Sequence, residues 1–125
     1  MEAAPFISIC IPAYRRTEFL KRLLDSVEIQ TYTNYEVVIT DDSPDVSVQE
    51  LVEQHAVRSK IRYYKNPKTL GTPENWNEGL RYARSEWIKI MHDDDWFSGP
   101  ESLAGFAEAI RKTDYGFYFC DLVEN

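Results

Sequence analysis

Short apolar runs alternate with helix-like segments along the whole of this 125-residue chain. The runs, which are rich in β-branched or aromatic side chains, are Phe6–Ile11, Glu36–Thr40, Ile61–Tyr64, Trp87–Met91 and Tyr115–Val123. Between them, apolar residues recur every three or four positions, which is the spacing of one helix face. This alternation predicts right-handed crossovers and a mainly parallel sheet covered by helices on both faces, hence a single α/β domain.

Residues that favour helix starts precede each helical segment. The predicted starts are Thr17, Ser47 with Glu50, Thr72-Pro73, and Ser98 with Glu101. The serine–glutamate pairs have the spacing of a capping box, and a proline is favoured at the first helical position. Periodicity predicts that the third helix buries the face carrying Trp76, Leu80 and Ala83.

Charge and cysteine usage restrict the partners and the compartment. Fourteen basic and twenty-one acidic residues give a net charge of −7, which opposes binding to nucleic acid. An anionic ligand would therefore need locally placed cations or a metal. Cys10 and Cys120 lie in apolar runs and are expected to be buried thiols in a reducing compartment. With no basic leader and no apolar stretch near ~20 residues, we expect a soluble, cytoplasmic domain without a transmembrane segment.

Three consecutive aspartates, Asp93-Asp94-Asp95, follow directly after the run Trp87–Met91. Adjacent like charges raise one another's pKa, and a hard divalent ion such as Mg²⁺ or Mn²⁺ would neutralise them. A solvated acidic turn is the alternative. Other unusual segments, Pro12–Arg16, Asp41–Asp45 and the helix start Gly71–Asn77, are predicted at the same edge of the sheet. Ligands of open α/β sheets bind there, so we predict a binding site.

A nucleotide diphosphate suits this set of residues. Asp42 would accept a hydrogen bond from a base or ribose, and Tyr14 offers a flat face for a base. A metal would join the diphosphate to Asp95. The turn after the first run has no glycine and the chain has no phosphate-binding loop motif, which excludes a dinucleotide fold and a P-loop nucleoside triphosphatase.

Four segments together resemble a known family. They are Ile7–Tyr14, Val38–Asp45, Gly71 with Asn75–Gly79, and His92–Phe97. In this order and spacing the sequence resembles the N-terminal half of the family 2 glycosyltransferases of the GT-A fold. The resemblance implies a Rossmann-like, three-layer α/β/α architecture with a mainly parallel sheet. It also implies transfer of a sugar, with inversion, from a nucleoside-diphosphate sugar, most often UDP-linked, as in polysaccharide biosynthesis.

Site residues carried over by position follow from the same resemblance. The implied nucleotide-binding residues are Pro12, Ala13, Tyr14, Arg16, Asp42, Asn77 and Asp94. Asp95 would be the main ligand of Mn²⁺ or Mg²⁺ in the DxD element, with Asp93 in support. The chain departs from the family at two positions. His92 stands where an aspartate is frequent, and Trp76 where many members have an arginine.

The acceptor side is expected to lie outside this chain. Residues 1–125 correspond to the donor-binding portion, truncated after the nucleotide-binding half, so the catalytic base is unknown and the fragment alone is expected to be inactive. The acceptor, carbohydrate or lipid-linked, is unknown. The full-length protein is expected in the cytoplasm or at the inner membrane face, and an exposed sheet edge would favour a homo-oligomer. The alternatives are a non-catalytic nucleotide-sugar-binding module and a receiver-type phosphoacceptor domain.

Overall fold

The computed structural model describes residues 7–71 and 73–111, in which strands and helices alternate as predicted. The strands are β1 (Ile7–Ala13), β2 (Tyr35–Asp41), β3 (Ile61–Lys65) and β4 (Trp87–Ile90). The helices are α1 (Thr17–Glu28), α2 (Ser47–Gln54), α3 (Glu74–Tyr82) and α4 (Ser102–Arg111), with a short 3-10 helix, Ala56–Lys60, before β3. The fifth predicted run, Tyr115–Val123, and Cys120 within it lie outside the described residues.

The four strands form one parallel sheet in the order β3-β2-β1-β4. Ile9 pairs with Val37 on one side and with Lys89 on the other, and Ile39 pairs with Tyr63. Because all three pairings are parallel, every strand ends at the same edge. This confirms the predicted α/β class and the mainly parallel sheet.

Successive side chains of β1 and β2 point to opposite faces of the sheet. Ile7, Ile9 and Ile11 of β1 join the main core with residues of α1 and α4. Most of the predicted helical positions, Leu20, Leu23, Leu24, Val27, Leu103, Phe106, Ala107 and Ile110, are buried in this core. No helix within the described ranges is long and apolar enough to cross a membrane.

The opposite face is polar and is covered by α3. The buried residues of α3 are Asn75 and Gly79, whereas Leu80 is 38% exposed, so the predicted buried face of Trp76, Leu80 and Ala83 is wrong. The reason lies in the sheet, which presents Thr40 and Cys10 to the helix. A Cβ at Gly79 would be 3.6 Å from Thr40 Oγ1 and 3.7 Å from Cys10 Cβ. The side of α3 that carries small and polar residues therefore packs against this polar face of the sheet.

Glu36 is the buried charge of this polar face, with a 2% exposed surface. Its Oε1 accepts hydrogen bonds from Arg62 Nη1 at 2.9 Å and Arg84 Nε at 2.8 Å. Its Oε2 accepts from Ser8 Oγ at 2.5 Å and from the Arg84 backbone N–H at 2.7 Å. Burial alone would raise the pKa of Glu36, but the hydrogen bonds from Ser8, Arg84 and Arg62 lower it below its ordinary value.

The predicted capping boxes are absent at the described helix starts. Val46 is the N-cap of α2 and has no side-chain cap, while Oδ1 of the preceding Asp45 accepts from the Ser47 N–H and hydroxyl at 3.2 and 2.7 Å. Helix α4 begins at Ser102, beyond the predicted Ser98–Glu101 box, and Glu101 accepts from Thr31 Oγ1. Helix α1 begins at Thr17 with Arg16 at the cap position, and Pro73 precedes α3. The start of a helix depends on which loop acceptors reach its free backbone N–H groups.

Candidate functional site

An open cleft of about 540 Å³ lies at the carboxyl edge of the sheet. Three predicted segments supply part of its lining, namely Pro12, Ala13, Tyr14 and Arg16 at and beyond the end of β1, Asp42 after β2, and Asp93 after β4. Its volume lies in the range of small-ligand sites. The carboxyl edge is where open α/β sheets bind ligands, as the sequence predicted.

The turn after β1 directs Tyr14 and Arg16 into this cleft. Arg15 has a left-handed backbone, with φ at 63°, and its N–H donates to Ser43 Oγ at 2.7 Å. Such a conformation is uncommon for a non-glycine residue and is held here by that contact. Tyr14 remains 44% exposed, and the Arg15 guanidinium lies 5.4 Å from its ring centre. The Tyr14 ring is therefore presented to solvent at the cleft.

Asp42 organises the loop between β3 and α3. Its Oδ1 accepts from Asn66 Nδ2 at 2.9 Å and from the Leu70 N–H at 2.7 Å, and its Oδ2 accepts from the Gly71 N–H at 2.7 Å. Gly71 has a φ of 78°, a left-handed backbone conformation that favours glycine at this turn before α3. Since a carboxylate oxygen can accept two hydrogen bonds, Oδ2 keeps capacity for one ligand donor.

The neighbouring Asp41 has a structural role. It is fully buried, its Oδ1 accepts from the Ser43 N–H at 2.9 Å, and its Oδ2 accepts from the Tyr63 hydroxyl. Burial and then the Asp41 hydrogen bond raise the pKa of Tyr63. The two acids at the end of β2 thus have different roles: Asp41 holds the strand end in place, and Asp42 lines the cleft.

The three aspartates after β4 point in different directions. Asp93 is 5% exposed, and its Oδ1 lies 2.8 Å from Arg16 Nη2. Burial raises the pKa of the Asp93 carboxyl, and the charge of Arg16 opposes that rise. Asp94 has a half-exposed side chain 3.6 Å from Arg16 Nη1. Asp95 Oδ2 accepts from the His92 N–H at 3.0 Å, which closes a tight turn.

These aspartates fit a cation held by few protein ligands. In the described part of the chain, the group whose potential ligand atoms all lie within 4.8 Å of one another is Asp25, Glu28 and His55. That group fits poorly, because His55 Nδ1 accepts from the Val57 N–H, which leaves the ring proton on Nε2 beside Asp25. Asp94 is exposed and Asp95 is partly exposed, so their carboxylates are the more accessible candidates. Mg²⁺ typically takes one or two carboxylates together with substrate phosphates.

The structure brings most, but not all, predicted site residues to the cleft. Asn77 is exposed on α3, and neither it nor Asp94 nor Asp95 is among the lining residues. Sequence reasoning missed the lining side chains Thr69, Asn75, Trp76 and His92. Asn75 is buried, with its Oδ1 accepting from Asn66 and its Nδ2 donating to the Thr40 carbonyl. The predicted helix start Gly71–Asn77 signalled this region, but the rotation of α3 decides which side chains face inward.

Comparison with known proteins agrees with this architecture. A model of the family "Glycosyl transferase family 2" matches residues 8–124. An uncharacterized glycosyltransferase of Haemophilus influenzae is 32% identical over 106 residues, which cover 85% of this chain and 35% of that protein. Chondroitin synthase of Escherichia coli is 31% identical over 113 residues, covering 90% of this chain and 16% of that protein.

A solved structure gives the same fold. The crystal structure of S. aureus TarS 1-349 in complex with UDP-GlcNAc superposes with a TM-score of 0.77 at 26% identity. The match covers 86% of this chain and 31% of that one, so the chain spans about a third or less of the length of these relatives. The family match extends over nearly the whole chain, and the sheet and cleft have the expected form. The chain therefore belongs to glycosyl transferase family 2.

Proposed function

We propose that this chain is the donor-binding portion of an inverting, metal-dependent glycosyltransferase that takes a UDP-linked sugar. The observation that carries the proposal is the cleft at the carboxyl edge, where Tyr14, Asp42 and Arg16 meet the acidic turn that begins at Asp93. A base-stacking ring, a buried acceptor and an acid cluster match the three parts of a nucleoside diphosphate. The UDP-GlcNAc bound by TarS supports a UDP-linked donor.

The nucleoside end of the ligand would lie beside Tyr14 and Asp42. The half-exposed Tyr14 ring offers its face to a base, backed by Pro12 and Ala13. Asp42 accepts from a base N–H or a ribose hydroxyl through the free capacity of Oδ2. Because the Leu70 and Gly71 N–H groups donate to the same carboxylate, Asp42 also keeps the cleft wall in place.

The diphosphate end requires more positive charge than the described lining of the cleft supplies. Among the described residues lining the cleft, Arg16 is cationic, while Asp42 and Asp93 are anionic. Arg16 already lies between Asp93 and Asp94. A dianionic ligand is therefore repelled unless a divalent ion joins it.

We assign that ion, Mn²⁺ or Mg²⁺, to Asp95 with support from Asp93. When bound, it would supply Lewis-acid stabilisation of the leaving diphosphate. Asp93 is buried against Arg16 and orients that guanidinium toward the cleft. Asp94 stays half exposed at the rim, where it reaches a ribose hydroxyl or the metal. Asn77 lies one turn along α3 from Pro73, to whose carbonyl its N–H donates, and would reach the ligand only from outside the described lining.

Calorimetric titration of UDP into the 125-residue chain, with and without MnCl₂, tests this proposal. We expect binding that strengthens at least tenfold with Mn²⁺, and Asp95→Asn should remove most of that gain. Glu50→Gln, an exposed change on α2, is the matched control. Folded protein that binds no UDP in either condition would contradict the proposed function. Sugar transfer itself is tested with Asp95→Asn in the longer protein, where loss of transfer is expected.

A further inference from the structure

Trp76 and His92 form an aromatic pair on the wall of the cleft. The two rings meet edge to face, with centroids 4.7 Å apart and planes at 73°. Trp76 comes from the first turn of α3 and His92 from the turn after β4, and both line the cleft. The pair therefore forms a contact between α3 and the turn after β4, which border the cleft beside the acidic turn.

Both rings keep polar edges for a ligand. Within residues 7–71 and 73–111, the Trp76 indole N–H and the ring nitrogens of His92 make no hydrogen bond, although the His92 backbone N–H donates to Asp95. Trp76 is half-buried, so part of its ring surface also faces the open space. A wall that offers aromatic carbon together with N–H donors suits a hydroxyl-bearing ring with apolar C–H edges.

The charges around this wall disfavour a second anion. His92 directly precedes Asp93-Asp94-Asp95, and Arg16, the cation of the described lining, is already shared by Asp93 and Asp94. The positive charge of a divalent ion would be neutralised by the diphosphate that it binds. A carboxylate on the group beside Trp76 and His92 would thus meet uncompensated negative charge.

We propose that Trp76 and His92 form the wall of the glycosyl subsite and select an uncharged sugar over a hexuronic acid. This inference rests on the proposed function, since it assumes that the nucleotide occupies the Tyr14 and Asp42 end of the cleft. It adds two specificity-determining residues, because sequence reasoning assigned a ligand contact to neither side chain.

Matched donors test the selection. UDP-glucose and UDP-glucuronic acid differ only at C6, as do UDP-galactose and UDP-galacturonic acid. Calorimetry with MnCl₂ and the 125-residue chain should show that at least one neutral donor binds about three- to tenfold more tightly than UDP, the gain of one or two net hydrogen bonds. Its uronic counterpart should bind about tenfold more weakly than the neutral donor. Equal affinities within both pairs would overturn the proposal.

Variants assign the effect to the wall. His92→Ala and Trp76→Phe should each reduce the gain of the neutral sugar over UDP to below about twofold. Trp76→Arg puts a cation on the wall and should raise the affinity of the uronic donor about tenfold relative to its neutral partner, a gain that misfolding cannot produce. Leu80→Ala, an exposed change on the same helix, is the control.

The outcomes separate this inference from the proposed function. If UDP itself does not bind, the proposed function fails. If UDP binds but Trp76→Arg strengthens UDP and every UDP-sugar equally, the wall faces the diphosphate and the glycosyl assignment is wrong. If His92→Ala and Trp76→Phe leave the sugar gain intact, the pair does not contact the sugar.

Discussion

Replacing Glu36 with glutamine should cost this fold about 3 kcal/mol at neutral pH. The carboxylate is 2% exposed and accepts four hydrogen bonds, from Ser8, Arg62 and twice from Arg84. Glutamine keeps one acceptor oxygen, but its amide group turns a donor toward donors. A buried group left without a partner costs about 1–3 kcal/mol, and breaking a fully buried ion pair about 3–5.

The exposure of the arginines sets the value between these limits. The side chain of Arg62 is 29% exposed and that of Arg84 is 56% exposed, so water compensates part of the lost charge interaction. A loss of about 3 kcal/mol leaves a domain of typical stability folded, but it should lower the melting temperature by roughly 10 °C.

The effect should depend on pH in one direction. Because the folded-state pKa of Glu36 lies below its ordinary value, its stabilisation is present above the unfolded pKa and is lost as the pH falls through the folded pKa. Urea unfolding of Glu36→Gln and the parent chain at pH 7 and at pH 3 measures this. The difference in the free energy of unfolding should be about 3 kcal/mol at pH 7 and smaller at pH 3.

Glu50→Gln, exposed on α2, is the matched control and should change stability by less than about 0.5 kcal/mol at both pH values. A Glu36→Gln loss below about 1 kcal/mol at pH 7, or one that does not shrink in acid, would refute the account of Glu36 as a charged anchor of the polar face.

Three further predictions address α3 and the cleft. Gly79→Ala should be neutral or stabilise the fold by about 0.5 kcal/mol in urea unfolding, because a Cβ fits at ordinary contact distance. Gly79→Leu should instead cost about 1–3 kcal/mol, because the larger side chain pushes α3 off the sheet. Equal effects of the two changes would contradict this packing. Asp42→Asn should weaken UDP binding at least tenfold and increase amide hydrogen exchange at Leu70 and Gly71, and unchanged exchange there would contradict its role in the loop. Arg16→Gln should weaken Mn²⁺-dependent UDP binding about tenfold by calorimetry, with Arg58→Gln, exposed before β3, as the control.

The fold was largely predictable because its signals are local. Period-two and period-3.6 patterns reflect which side of a single element is buried, so they appear within a few consecutive residues. The strands after Phe6, at Ile61 and at Trp87 began within one residue of their predicted starts. The failures occurred at helix starts, where neighbouring loop residues such as Asp45 offer alternative contacts, and on α3, where partners distant in sequence decide. Gly79 is buried because it faces Thr40, a residue 39 positions earlier.

The site was predictable as a location rather than as a set of contacts. The acid segments at Asp42 and Asp93 had to share an edge once the strands were parallel. Which oxygens remain open could not be read from the chain, because it depends on donors such as the Gly71 N–H, 29 positions from Asp42. The same holds for Arg16 and Asp93, 77 positions apart.

The sequence by itself determined the α/β class, the alternation of strands and helices that implies a parallel sheet, and the clustering of acids at one edge. These features follow from short-range periodicity and turn chemistry. Only the tertiary structure decided that Asp41 closes a strand while Asp42 faces the cleft, that the three aspartates diverge, and that Trp76 meets His92. Those outcomes depend on helix rotation and on loop geometry to within a hydrogen-bond length. Such precision arises from packing between elements, and the periodicity of the sequence does not reveal it.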